Sequence, residues 1–162
     1  YTFAQGLRSI VRQDPDIIMV GEIRDSETAG LAIHSALTGH IVLSTLHTNN
    51  SIGVIPRLLE MGVEKYLLPT SLSIAIAQRL VRRLCEYCKK PVKIMGRVKE
   101  VIEQEFSAMQ EMGEKHITFS EHTTLYQPQG CAKCNNKGTR GRIGIYEVLE
   151  MTKELETIIL CK

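Results

Sequence analysis

Four cysteines stand in two short pairs, Cys85-Glu86-Tyr87-Cys88 and Cys131-Ala132-Lys133-Cys134. Two residues between paired thiolates lets both reach one ion at about 2.3 Å, and two such pairs close a tetrahedral zinc site. Forty-two residues separate Cys88 from Cys131. That gap is longer than in small zinc ribbons, but it permits a clamped loop containing a helix. A filled four-thiolate site has no open position, so its role would be structural rather than catalytic. Disulfides and unliganded thiols are the other readings of the same spacing. Cys161 is the odd cysteine and is expected near a frayed C-terminus.

A second constellation lies ahead of the cysteines. The apolar run Ile17-Ile18-Met19-Val20 ends in Gly21-Glu22. Open α/β sheets bind ligands beyond the carboxyl ends of their strands. A carboxylate there can orient or deprotonate an attacking water, or bind the magnesium shell, in phosphoanhydride hydrolysis. Gly21 leaves room for a close approach. The plainer reading is a solvated glutamate in a strand-to-helix loop, because an apolar run followed by an acid is common. The next apolar run ends in Leu46-His47-Thr48-Asn49-Asn50, a polar cluster expected at the same sheet edge. Neighbouring strands would bring His47 and Glu22 to one crevice, where a histidine can hydrogen-bond a terminal phosphate. His34, His40, His116 and His122 lack such company and read as structural.

The elements that must position these residues alternate. Phe3, Leu7, Ile10 and Val11 have helical spacing, and Asp14-Pro15-Asp16 ends that helix. Ile17–Val20 and Ile41–Leu46 read as parallel strands covered on both faces. Between them, Asp25 or Ser26 caps a helix to about Thr38, which Gly39 ends in a left-handed conformation. Strand, helix, strand over about thirty residues is a βαβ unit with a right-handed crossover. Leu58, Leu59 and Met61 close a shorter helix against Gly62. A longer amphipathic helix is expected from about Tyr66 or Thr70 to Leu84. It carries Leu72, Ile76, Leu80 and Leu84 on one face and Arg79, Arg82 and Arg83 on a solvated one. Composition turns polar at Cys85, with one helix from about Val98 to Met112. Strand character returns over 141–149, and a terminal helix follows from about Lys153.

The chain has 162 residues, a net charge of +2, 43% hydrophobic and 5% aromatic residues. That suffices for one domain or one and a half. The charge makes no strong case for nucleic acid, and the few aromatics speak against a zinc-ribbon nucleic-acid binder. No apolar run approaches the ~18 residues of a membrane span. Paired cysteines without a secretory signal fit a reducing compartment. Tyr1 stands where Met would begin a native chain, which predicts a piece of a longer protein.

Several long motifs carry a resemblance. Ile10-Val11-Arg12-Gln13-Asp14-Pro15-Asp16-Ile17-Ile18-Met19-Val20-Gly21-Glu22-Ile23-Arg24-Asp25 resembles the Walker B region of the secretion ATPases, the superfamily of type II secretion and type IV pilus assembly. Thr38-Gly39-His40-Ile41-Val42-Leu43-Ser44-Thr45-Leu46-His47-Thr48-Asn49 resembles its His box. Ala77-Gln78-Arg79-Leu80-Val81-Arg82-Arg83-Leu84-Cys85 and Gly141-Arg142-Ile143-Gly144-Ile145-Tyr146-Glu147 follow the same family's pattern.

The resemblance implies an α/β fold: residues 1–84 as the C-terminal part of a RecA-like P-loop NTPase core, and residues 85–162 as a zinc-stabilised C-terminal subdomain. It implies ATP and Mg²⁺ as ligands of the complete chain, with Glu22 as catalytic Walker B glutamate, His47 as the γ-phosphate sensor and Gly21 beside the nucleotide. Cys85, Cys88, Cys131 and Cys134 would be the tetracysteine zinc motif of the secretion and pilus-extension branch, not of retraction motors. The implied protein is a cytoplasmic homo-hexamer, peripheral to the inner membrane through a secretion or pilus platform protein. The chain departs from the family in two ways. No Gly-x-x-x-x-Gly-Lys-Ser/Thr loop occurs in these residues; the family's phosphate loop and Asp box would lie upstream, so this piece alone is expected to be inactive. Pro56 also replaces a residue with a free amide, which predicts a late helix start. The rival expectation is a non-enzymatic, zinc-stabilised interaction module.

Overall fold

The computed structural model describes residues 2–111 and 124–161. His116 and His122, and the expected helix end at Met112, lie outside the described residues. Tyr1–Arg79 and Ile145–Lys162 form one compact unit, and Leu80–Gly144 forms another.

In the first unit, α1 (Phe3–Val11) starts at a capping box between Thr2 and Gln5. β1 (Ile17–Val20) and β2 (Ile41–Ser44) are parallel, with Ile17 opposite Ile41 and Val20 opposite Ser44. α2 (Ser26–Leu37) connects them. Asp25 is its N-cap, accepting the Thr28 amide at 2.8 Å and the Thr28 hydroxyl at 3.0 Å. Gly39 leaves the helix at φ +101°, a conformation that disfavours any residue with a Cβ. Ala29, Ala32 and Ile33 of α2 join Leu7, Ile18, Val20, Leu58 and Leu68 in one buried core.

The strands are covered on one face, not two. Ile18 and Val20 are buried, whereas Ile17, Met19, Ile41 and Leu43 are all more than half exposed. The unbroken apolar run predicts burial on both faces, but among the described residues only one face of the pair is covered.

α3 (Val54–Glu60) begins before Pro56, which falls in the first turn, where an amide has no intrahelical partner anyway. The late start predicted from Pro56 is therefore not observed. A larger correction follows. A 3-10 turn (Lys65–Leu67) and the short α4 (Leu68–Ser71) give way to a strand, β3 (Ile74–Leu84), where a long helix was expected. A spacing of four residues is shared by both structures: Leu72, Ile76, Leu80 and Leu84 lie on one helix stripe and equally on one side of a strand. The β-branched residues Ile74, Ile76 and Val81 favour extended backbone. Arg79, Arg82 and Arg83 accordingly sit on a strand.

The second unit contains β4 (Lys90–Val92), paired antiparallel with β5 (Leu125–Gln127), and α5 (Arg97–Glu111). β6 (Thr139–Glu150) pairs with β3, and α6 (Lys153–Cys161) closes the first unit. Among the described residues, no helix is long and apolar enough to cross a membrane.

Candidate functional site

Parallel pairing sends the exits of β1 and β2 to the same edge. Two bonds join those exits: the Thr45 hydroxyl donates to the Gly21 carbonyl at 2.7 Å, and the Ile23 amide donates to the Thr45 carbonyl at 3.0 Å. The consequence is a polar cluster. Glu22 Oε2 accepts from Arg24 Nε at 2.6 Å and lies 3.1 Å from His47 Nε2, within hydrogen-bond distance. The Arg24 bond, and then the His47 bond, hold the Glu22 carboxyl below the usual glutamate range against a smaller opposing effect of burial. Glu22 is therefore an anion at neutral pH. Its side chain is 39% exposed, Arg24 69% and His47 77%. An ion pair so open adds little stability. It leaves charged, hydrogen-bonding groups facing solvent where an α/β sheet holds its ligands. A Cβ added at Gly21 would meet nothing within 4 Å, so the space beside the carboxylate is open.

The second unit gathers all four paired cysteines. Their sulfurs lie within 4.8 Å of one another, at 3.9 Å for Cys85–Cys131, 3.8 Å for Cys88–Cys134 and 3.7 Å for Cys131–Cys134. A regular tetrahedron with 2.3 Å arms has edges of about 3.8 Å, so the donor set fits a four-thiolate metal ion. These separations also exclude disulfides, whose sulfurs stand about 2.05 Å apart.

The local sequence builds each half of this cluster. The Cys88 and Lys89 amides turn back onto the Cys85 carbonyl, and Lys133 lies 3.7 Å over the Tyr87 ring, joining the middles of the two pairs. The amides of Cys131 and Gly138 each donate to Cys134 Sγ at 3.2 Å. Gly138 reaches that sulfur at φ +67°, where an added Cβ would also strike Pro128 at 2.5 Å. Burial pushes the Cys88 thiol up to about 11. Burial works against ionisation of Cys134 too, but the two amides hold it down at about 6. The two amide bonds thus favour the ionised form of Cys134, the form in which a thiol ligates a metal ion.

With this geometry in place, comparison with known proteins is decisive. The model of the "Type II/IV secretion system protein" family matches residues 1–162. The chain belongs to that family. Over 158 residues it is 51% identical to a "Type II secretion system protein E" of Dickeya dadantii (strain 3937), covering 98% of this chain and 29% of the relative. It is 49% identical over 158 residues to the "Type IV pilus assembly ATPase PilB" of Myxococcus xanthus (strain DK1622), covering 98% and 26%. The chain thus spans less than a third of these curated relatives. Its fold resembles that of the Legionella pneumophila ATPase DotB, with a TM-score of 0.58 at 23% identity over 99% of this chain and 31% of the other.

Some partners at this edge carry only a weak signal in the sequence. Arg24 lies two residues from Glu22, and its charge is the available signal. Thr45 and Glu147 lie in family-like motifs whose pattern assigns them no role. Glu147 accepts from Ser51, a contact 96 residues apart that no local pattern announces.

Two outcomes follow. The purified protein should carry about one metal ion per chain by elemental mass spectrometry, and Cys88→Ser should lower that ratio severalfold. Four freely titrating thiols with no metal would contradict the site. Arg24→Met should raise the pKa of Glu22 towards the ordinary glutamate value, read from its carboxyl carbon by NMR titration; an unmoved titration would show that the Arg24 bond does not set it.

Proposed function

We propose that the complete protein is an ATPase that powers type II secretion or type IV pilus assembly at the inner membrane. The observation that carries this reading is the hydrogen-bonded Glu22–His47 pair at the exit of two parallel strands. Its similarity to a type IV pilus assembly ATPase supports it. In this reading residues 1–84 are the C-terminal part of a RecA-like core, and residues 85–162 supply the zinc-binding segment and then a terminal stretch, Ile145–Lys162, that packs back into the compact unit of the core.

Glu22, held ionised by Arg24, orients a water for attack on the terminal phosphate and takes its proton. His47 donates to a γ-phosphate oxygen, and Gly21 leaves room for the nucleotide. Mg²⁺, when bound with the nucleotide, would neutralise phosphate charge. Cys85, Cys88, Cys131 and Cys134 hold Zn²⁺ in a structural role, since four thiolates leave no open position. These 162 residues contain no phosphate-binding loop, so by themselves they turn over no nucleotide. The complete protein works as a cytoplasmic homo-hexamer docked on a membrane platform protein.

Glu22→Gln in the complete protein should keep nucleotide affinity and lower kcat by about 10²–10⁴-fold, the usual contribution of a general base. Turnover at the wild-type rate would remove Glu22 from the chemistry.

A further inference from the structure

His47 is 77% exposed, and among the described residues its side chain hydrogen-bonds with Glu22. What fixes its place must therefore be the loop that carries it. Five consecutive polar residues, His47 to Ser51, make up that loop. It has internal bonds: the Thr48 hydroxyl donates to the Asn50 carbonyl at 2.9 Å, and the Gly53 amide donates to Asn50 Oδ1 at 2.8 Å. Bonds of this kind set the loop's shape but not its position.

Position comes from two distant strands of the same compact unit. Glu147 on β6 accepts the Ser51 amide at 2.9 Å and also the Ser51 hydroxyl, both through Oε1. Arg79 on β3 donates to the Asn49 carbonyl at 2.6 Å. Ser51 is only 1% exposed, so losing its charge-assisted bonds to the exposed Glu147 carboxylate would leave a buried amide and hydroxyl unpaired, which is costly. The Ser51 hydroxyl, and then its amide, hold the Glu147 carboxyl below the usual range, so it is an anion at neutral pH.

We propose that Glu147 is a positioning residue: its carboxylate, by gripping Ser51, fixes the loop that presents His47 to Glu22, with Arg79 as the second tether. The catalytic consequence rests on the hydrolytic role given above to Glu22 and His47; the tether itself does not. A merely structural Glu147 would lower stability without singling out either the loop or the turnover step.

The test uses the complete protein and two readouts. Glu147→Ala removes the acceptor of both bonds, whereas Glu147→Gln keeps a carbonyl oxygen in the same place. Hydrogen exchange of the amides from His47 to Ile52 should rise at least about tenfold in Glu147→Ala, with Ile18 and Val20 unchanged. The kcat should fall by about 100-fold with KM within about threefold, since displacing a contributing group by about 1 Å costs that much. Glu147→Gln should restore part of both. Should Glu147→Ala fail to fold, Ser51→Ala, which deletes one of the two donors, is read the same way. Unchanged loop exchange overturns the tether, and faster exchange with unaltered kcat overturns the positioning role. If the wild-type complete protein hydrolyses no nucleotide, the ATPase reading fails, and loop exchange alone decides whether Glu147 holds the loop.

Discussion

Parallel pairing of Ile17–Val20 with Ile41–Ser44 is the constraint on which the rest of the first unit depends. A strand of four residues is about 13 Å long. Antiparallel pairing would therefore place the exits of the two strands about that far apart, and Glu22 could not reach His47. Parallel strands need a crossover, and α2 supplies it with Ala29 and Ala32 buried, side chains small enough to let the helix close on Ile18 and Val20. Register matters equally, because a slip of one residue would turn the buried pair outward. The chemistry at the edge thus depends on core packing several residues away.

The second unit solves a different problem. Its buried apolar cluster, among the described residues, consists of Cys85, Cys88 and Cys134, with Cys131 packed against them. Little else in that unit could repay the entropy of ordering its long loops. A metal held by the four cysteines would substitute for a core, its binding free energy becoming folding free energy. The amide bonds to Cys134 and the Lys133–Tyr87 contact arrange the thiolates around a common centre.

The sequence made some of this legible and concealed the rest for physical reasons. A short β-branched run, an Asp25 cap and Gly39 at a positive φ are local signals with one structural outcome each, so the βαβ unit could be read directly. Cysteine pairs at ligand spacing are similarly local. From Leu72 to Leu84 the signal was degenerate, since a four-residue repeat satisfies helix and strand alike, and β3 was misread. Burial on both faces of β1 and β2 was inferred from composition alone, which cannot say which layers are present. Glu147 and Arg79 were beyond reach for another reason. Their partners lie 96 and 30 residues away, and only the folded unit brings them together.

The central claim is that the exit edge of β1 and β2 is one wall of a nucleotide hydrolysis site. Its most direct test is a structure of the complete protein bound to Mg²⁺ and a non-hydrolysable ATP analogue. The account predicts the terminal phosphate at this edge, His47 within about 2.6–3.2 Å of one of its oxygens, and Glu22 in contact with a water facing the phosphorus. A nucleotide bound with its phosphates remote from both side chains would contradict it.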